Sequence, residues 1–405
     1  MTDIGATSNG IGDAFESLVE AARSSKPVSG LTHDFYRYPA RFSPVFVRSA
    51  IEAFTEPGDW VVDPFAGGGT TLVEAMALGR NALGIDISSL SAFVCEAKTL
   101  LLSRRDANAF EHWMIDLPKT IDMHLPGHRF SSYADAGYYR NLSGSEFWRF
   151  RKAIEQCLVA VEAIRNRRAK TLARSVVLRT AQWALDARKK RPTIPQFRSK
   201  MSSVAQEMLS ASIELRDQVQ SLGLPKLPVV RSLHRPVAGS ETDPIVAETP
   251  TPKLIVTSPP YPGIHVLYHR WQVDGRKEAP APFWIANKLD GAGLSYYTMG
   301  DRKNPGLRTY FENLKANFAS IAKMAGPETV IVQMVAFSER DWQLPEYLRV
   351  MEECGLQELL PWDMDDDDGR LWRDVPNRKW HAQQRSNSPG AKEVVLLHRK
   401  SSLKS

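Results

Sequence analysis

Trp60-Val61-Val62-Asp63 is a short apolar run that passes through Pro64-Phe65-Ala66, turns on Gly67-Gly68-Gly69 and enters TTLVEAMALG. That stretch has helical spacing and closes at Gly79, and NALGIDI follows as a second apolar run ending at Asp86. Strand, helix and strand within about 30 residues pack as a right-handed crossover, which commits the chain to a parallel sheet with helices on its faces. The signature returns later: KLIVTSPPY reads as a strand, RTYFENLKANFASIAKMAG as a helix, ETVIVQMVAF as a strand, LPEYLRVMEECGL as a helix and EVVLLHRK as a last strand. Residues 30–101 and 236–400 thus read as one α/β domain, interrupted by an insertion over 102–235.

The insertion is predicted to be helical. Phe150, Ile154, Leu158, Val161 and Ile164 keep the three-and-four step of an amphipathic helix, with Arg149, Arg151, Lys152, Arg165, Arg167 and Arg168 off that stripe. TLARSVVLRTAQWAL continues the pattern until Arg188-Lys189-Lys190-Arg191 and two prolines break it. Residues 101–235 hold 24 Lys and Arg against 12 Asp and Glu, in a chain whose net charge is only +6. A basic middle in an otherwise acidic chain fits a polyanionic partner, and fits a solvated helical surface equally well. VDGRKEAPAPFWIANKLDGAG, after the SPPY strand, reads as irregular. Residues 1–29 are expected to be a loose polar leader, lacking the basic start and apolar core of a secretion signal. No apolar run approaches the roughly 18 residues of a membrane helix. Cys95, Cys157 and Cys354 are odd in number and form no CxxC pair, which argues against a disulfide framework or a zinc site and for a reducing cytoplasm.

Glycines at a strand–helix turn let backbone amides approach a ligand with the helix N-terminus behind them. A phosphate-binding loop would carry a lysine after the glycines, and none follows. The spacing is not GxGxxG, and an Asp precedes the turn, so a dinucleotide also fits poorly. A neutral or cationic nucleoside fits better, with Asp86 placed to accept both ribose hydroxyls. The competing reading is an ordinary βα turn with Thr70 or Thr71 capping the helix and Asp86 as a cap. At the other motif, Pro259 and Pro260 cannot donate to a sheet ladder, so the strand stops there and leaves Ser258 and Tyr261 on a stiff corner.

DPFAGGGTT, followed about 190 residues later by TSPPY, resembles the amino-group DNA methyltransferases that use S-adenosylmethionine. Their motifs are written DPFxGxGTT and [SDN]PP[YF]. The resemblance implies a Rossmann-like methyltransferase sheet, mostly parallel with a C-terminal antiparallel strand, in which 30–101 and 236–400 form the catalytic domain. It implies that Tyr38 and Pro39 of YRYPARFSP lie near the methionine end of the cofactor. Asp63, Pro64, Phe65, Ala66, Gly67, Gly69, Thr70, Thr71 and Asp86 would hold the rest. Methyl transfer to an exocyclic amine is an in-line displacement that needs positioning above all, on a base flipped out of the duplex. By the same resemblance, Ser258 and the Pro259 carbonyl accept hydrogen bonds from the amine, Tyr261 stacks on the base, and Pro259 and Pro260 keep these groups rigid. No metal is implied. The 5-methylcytosine chemistry needs a Pro-Cys nucleophile, and the three cysteines follow Val, Gln and Glu. Ser at the first motif position resembles the cytosine-N4 enzymes, where adenine-N6 enzymes usually carry Asp, so N4 of cytosine is the favoured target. An adenine-N6 enzyme, an RNA-base methyltransferase and a catalytically silent DNA-binding relative are the alternatives. The family's Gly-Asp step before the SPPY strand is replaced by Gly239-Ser240; either Asp243 takes over or that contact is missing.

The motif order puts the insertion where this family recognises its target. Arg165, Arg167, Arg168, Arg188, Lys189, Lys190 and Arg191 are therefore expected to neutralise phosphates of double-stranded DNA. WDMDDDDGRLW (362–372) lacks the spacing of a calcium loop and is expected to be a solvated acidic loop. VPNRKWHAQQR (375–385) could border the DNA cleft or be a hairpin tip. His33, His265 and His269 have no assignable partner. A restriction nuclease or a phage-defence component is a candidate partner, which the sequence does not decide.

Overall fold

The computed structural model describes residues 8–24, 28–38, 42–188, 190–262, 270–273, 275, 277–291, 297–300, 305–360, 368–374 and 392–401. The chain begins with helices α1 (Ser8–Arg23) and α2 (Pro44–Phe54), then β1 (Trp60–Asp63), α3 (Thr70–Ala77), β2 (Asn81–Asp86) and α4 (Ser89–Lys98). The helical insertion contains α5 (Arg104–Thr120), α6 (Ser131–Asp135), α7 (Trp148–Glu162), α8 (Arg167–Leu185) and α9 (Ile194–Ser221). Then come β3 (Val230–His234), α10 (Pro244–Ala247), β4 (Leu254–Thr257), the pair β5 (Trp271–Val273) and β6 (Lys277–Ala279), and α11 (Ala281–Ile285). The last elements are α12 (Arg308–Met324), β7 (Val330–Ala336), α13 (Arg340–Glu353), β8 (Leu356–Leu359), β9 (Leu371–Asp374) and β10 (Lys392–Lys400).

One eight-stranded sheet runs β3-β2-β1-β4-β7-β10-β8, with β9 also paired to β10. From β3 to β7 every pairing is parallel, and β10 is antiparallel to β7, β8 and β9. The fold is thus the Rossmann-like, mostly parallel α/β sheet with a C-terminal antiparallel strand that the resemblance implies. Its central strands are apolar without alternation, as strands covered on both faces must be; β7 is buried along all seven residues. Reversal of strand order between β1 and β4 opens a crevice at their carboxyl ends, where ligands bind in such sheets.

Three expectations are corrected. The leader 1–29 is not loose throughout, because α1 packs on α2 and buries Leu18, Ala21 and Ala22. The insertion does not run to 235: Val230–His234 pair with Ala82–Asp86 as an edge strand, and no residue of that strand is fully buried, which is why its polar sequence hid it. The stretch after SPPY is not irregular, since β5 and β6 form a hairpin around Gly275 at φ +81°. Trp271, Phe283 and Trp284 then join the apolar core of α5, α7, α8 and α9, so this segment seals the insertion rather than the sheet.

The insertion is a helical layer whose amphipathic stripe is where the spacing put it. Phe150, Ile154, Leu158 and Val161 are all buried, while Ile164 falls just past the end of α7. Orientation within that layer matters for function. Arg167, at the start of α8, reaches Glu96 in the last turn of α4, whereas Gln182, near its end, hydrogen-bonds both the N–H and the carbonyl of Arg37.

Candidate active site

The glycine turn and the SPPY corner meet through one buried carboxylate. Asp63, at the end of β1, is 3% exposed. It accepts from the Thr71 hydroxyl at 2.7 Å, from the Thr257 hydroxyl at 2.7 Å and from the Phe65 N–H at 3.1 Å. Thr71 lies in the first turn of α3 and Thr257 directly precedes Ser258, so both motifs, 194 residues apart, are stitched to the same side chain. Burial pushes the Asp63 carboxyl up to about 6, partly offset by those three donors.

The turn itself is held from several sides. Gly67 donates its N–H to Asp86 at 2.8 Å, and Ser88 donates to the other oxygen of Asp86 at 2.7 Å. A carboxylate has about four acceptor positions, and Asp86 is only partly covered, so it retains acceptor capacity toward a ligand. Lys98, almost fully buried, donates to the Gly68 carbonyl at 2.7 Å. The helix cap is Gly69 at φ +73°, not Thr70 or Thr71; both threonines lie inside the helix, and Thr71 donates to Asp63. A Cβ on Gly69 would stand 2.9 Å from Cys95 Sγ. Gly69→Ala is therefore expected to destabilise the fold by about 2–3 kcal/mol, from left-handed backbone plus overpacking, read as a lower denaturation midpoint in urea.

Tyr38 lies over Gly68, 3.4 Å from where a Cβ would be. Its phenol is raised well above 10 by burial and then by the charge of Asp86. The neighbouring Tyr36 hydroxyl accepts from the Trp271 indole at 2.9 Å. Pro39 lies outside the described residues. A glycine turn packed under Tyr38 and flanked by two carboxylates suits a cationic nucleoside such as S-adenosylmethionine. Phe65 packs at the edge of the α12–α13 core, Ala66 is buried, and the Ala66 N–H bonds to the Ile85 carbonyl at 3.0 Å. Pro64 is buried between Asp63 and Phe65.

At the second motif, the Ser258 hydroxyl donates to the Met334 carbonyl of β7 at 3.1 Å and shares a 3.2 Å contact with the Tyr261 hydroxyl. Tyr261 donates to Glu393 Oε1 at 2.7 Å. The Pro260 carbonyl accepts from the Tyr310 hydroxyl at 2.8 Å, which fixes the corner from the α12 side. Burial pushes the Cys95 thiol up to about 12 and raises those of Cys157 and Cys354, so none is an activated nucleophile.

The basic residues of the insertion do not form one surface. Arg167 pairs with Glu96 at 3.2 Å and Arg168 with Asp106 at 3.3 Å, at the N-terminal end of α8 beside the last turn of α4. Together with Arg104 and Arg216 they line a groove of about 1080 Å³ along α4 and β3; Arg165 is exposed nearby. Arg188 lies over the Trp183 ring at 4.7 Å, and Arg191 over Phe147 at 4.3 Å with an ion pair to Glu146 at 2.6 Å. These two sit past the other end of α8, about 30 Å away along its axis. Lys190 is exposed between them, and Lys189 lies outside the described residues.

Several lesser expectations change. His33 has a partner: its Nε2 is 2.7 Å from buried Glu74 Oε1, whose other oxygen pairs with the half-buried Arg48, and burial holds the imidazole below 6.5. Asp243 caps α10 and pairs with Arg235 at 2.6 Å, so its carboxyl is committed to local structure. Of the acidic run, Asp368 pairs with Arg340 and Arg370, and Leu371–Asp374 form β9 rather than loop. Residues 361–367, 375–385, His265 and His269 lie outside the described residues. Among the described residues no group of three or more His, Cys, Asp or Glu could hold a metal ion, and no helix is long and apolar enough to cross a membrane. Glu393, Arg373, Gln182 and Lys98 escaped the sequence reading. Only Thr257 carried a signal, as the residue before SPPY.

Residues 12–91 match the family model described as DNA methylase, of the N6/N4 type. Over 104 residues, 26% of this chain and 18% of the relative, the chain is 33% identical to the type II methyltransferase M.MjaII of Methanocaldococcus jannaschii. Over 70 residues, 17% of this chain and 14% of the relative, it is 41% identical to the type II methyltransferase M.BsoBI of Geobacillus stearothermophilus. Over 59 residues, 15% and 20%, it is 39% identical to the DNA adenine methyltransferase YhdJ of Escherichia coli. The chain spans a fifth or less of the length of these curated relatives. Among solved structures, the rRNA methyltransferase AviRa of Streptomyces viridochromogenes aligns over 93% of this chain and 96% of its own, at 11% identity and a TM-score of 0.37. Through the glycine turn and the strand ending in Asp86, the chain is similar to the N6/N4 amino-group DNA methyltransferases, whose family model it matches there.

Proposed function

We propose that the chain transfers a methyl group from S-adenosylmethionine to an exocyclic amine of a flipped-out DNA base, with N4 of cytosine as the target. The observation that carries this reading is Asp63, which ties the glycine turn and the SPPY corner to one point. S-Adenosylmethionine supplies the electrophilic methyl group; everything else is positioning. Asp86 accepts from the ribose hydroxyls with its remaining acceptor capacity, and Tyr38 with the glycine turn walls the cofactor cleft. Ser258 and the Pro259 carbonyl take the amine hydrogens, which aims the nitrogen lone pair at the methyl group. Tyr261 stacks on the extruded ring and offsets lost base stacking by about 1–3 kcal/mol.

Adenine N6 is the second reading, favoured by the likeness to the adenine methyltransferase YhdJ. The test is direct. Unmethylated genomic DNA is incubated with the protein and S-adenosylmethionine and digested to nucleosides. N4-methyldeoxycytidine is expected; N6-methyldeoxyadenosine moves the target, and no methylated nucleoside ends the reading.

For DNA contact, the Arg188, Lys190 and Arg191 end of α8 is favoured over the Arg165, Arg167 and Arg168 end. Gln182 locks the former to the Tyr36–Tyr38 segment beside the glycine turn, while the latter lies by the last turn of α4. Arg188→Ala with Arg191→Ala is expected to weaken duplex binding and to lower the slope of log K against log salt by about 2. Arg167→Ala with Arg168→Ala should leave both nearly unchanged, and the reverse pattern would move DNA to the far end of the helix.

A further inference from the structure

We propose that Glu393 is a positioning residue for this reaction: it sets the direction in which the hydroxyl hydrogens of Tyr261 and Ser258 point, so that Ser258 meets the target amine with lone pairs only. The proposal rests on the methyltransferase reading above, and its residue lies 132 positions from Tyr261, on β10.

Glu393 is 6% exposed, at the start of β10. Its Oε2 is taken by Arg373, whose Nε and Nη2 stand 2.7 and 2.5 Å away. Arg373 is itself fixed by donating to the Ala22 carbonyl at the end of α1, at 3.2 Å. Only Oε1 is left for Tyr261, and a carboxylate can only accept, so the phenol hydrogen must point to Glu393. The Tyr261 oxygen is then an acceptor for Ser258, and the other partner of Ser258 among the described residues, the Met334 carbonyl, accepts as well. Whichever it chooses, the serine hydrogen points into the protein.

That direction matters for the chemistry. The attacking amine has two N–H donors and one lone pair, and the lone pair must face the methyl carbon. A serine hydrogen turned outward would compete for that lone pair; a serine lone pair turned outward takes an N–H and leaves it free. The chain Arg373–Glu393–Tyr261–Ser258 therefore selects the productive state before any substrate arrives, which is preorganisation of the kind that costs no rearrangement during reaction.

Glu393→Gln tests the polarity without changing the size of the side chain. Its amide oxygen would turn to Arg373 and its NH2 to Tyr261, which then donates toward Ser258 and occupies one of its lone pairs. E393Q is expected to lower kcat about tenfold, with unchanged affinity for S-adenosylmethionine and for duplex DNA. In a Tyr261→Phe background the same change should cost nothing further, because reversal needs the phenol. Glu393→Asp keeps an acceptor-only group and should retain more turnover than Glu393→Gln. Wild-type turnover in E393Q, or an equal loss in the Tyr261→Phe background, overturns the proposal. The tyrosine Raman doublet gives a readout independent of activity: E393Q should raise the doublet ratio by turning one phenol from a strong donor to a carboxylate into one that accepts from the amide and donates only to the Ser258 hydroxyl, and the change should vanish with Tyr261→Phe. Wild-type protein that binds S-adenosylmethionine yet methylates no DNA would end the methyltransferase reading, while the Raman difference would still decide the polarity of the chain. An unchanged doublet would sink it.

Discussion

Ser258→Ala is expected to lower methyl transfer roughly a hundredfold to a thousandfold while S-adenosylmethionine still binds. On the proposed mechanism the loss is that large because the serine oxygen accepts from the amine where it loses electron density. Its position is fixed by the Met334 carbonyl and the Tyr261 hydroxyl rather than by solvent. On the same proposal, alanine leaves the Pro259 carbonyl as the one acceptor for the amine hydrogens, so the lone pair is aimed by one contact instead of two. Cofactor affinity should persist, because the groups assigned to it lie across the Asp63 bridge. Tyr261→Ala, which removes the proposed stacking platform, is expected to cost about 1–3 kcal/mol, or roughly fivefold to 150-fold in turnover. Isotope incorporation from labelled S-adenosylmethionine measures both, with equilibrium dialysis for the cofactor. Near-normal turnover in Ser258→Ala would remove the SPPY corner from the chemistry.

The parts legible in the sequence are those set by local pattern. An apolar run before glycines, or before two prolines, can do little except end a strand, so β1 and β4 and their motifs were readable. That β1 and β4 pair could not be read from local pattern, because β2, the helical insertion and β3 lie between them in the chain. What was hidden depends on tertiary packing. The edge strands β8 and β9 are four residues each and partly polar. Helix α1 is mixed in sequence; among its described side chains, Leu18, Ala21 and Ala22 are buried, and Phe15 and Val19 pack beside them. Arg188 and Arg191 read as free phosphate ligands, yet each lies on an aromatic ring supplied by the fold. Glu393 reads as an ordinary acid at the head of an apolar strand, and only the antiparallel turn-back of β10 brings it to Tyr261.

Asp63→Ala should be the most damaging change to the scaffold, for a reason that separates it from Asp63→Asn. Alanine strands the Thr71 hydroxyl, the Thr257 hydroxyl and the Phe65 N–H in a buried space, at about 1–3 kcal/mol for each group left unpaired. The expected result is a loss of at least about 3 kcal/mol in stability, together with weakened cofactor binding as the glycine turn detaches from β4. Asparagine keeps an acceptor and the volume, and removes a charge that the fold tolerates poorly. The pH dependence follows from the direction in which burial moves the carboxyl. It titrates at about 6 in the folded protein against 3.8 when exposed, so between those values the folded state binds the extra proton. The stability this proton confers is fully present below about 3.8 and is lost as pH rises through about 6. Across that interval the loss amounts to roughly 3 kcal/mol. Asp63→Asn cannot titrate there, so its stability relative to wild type should improve steadily from about pH 4 to about pH 7, as followed by urea denaturation at about half-unit intervals. A constant difference across that range would mean that Asp63 is ionised in the fold at no cost, with its three donors fully compensating its burial.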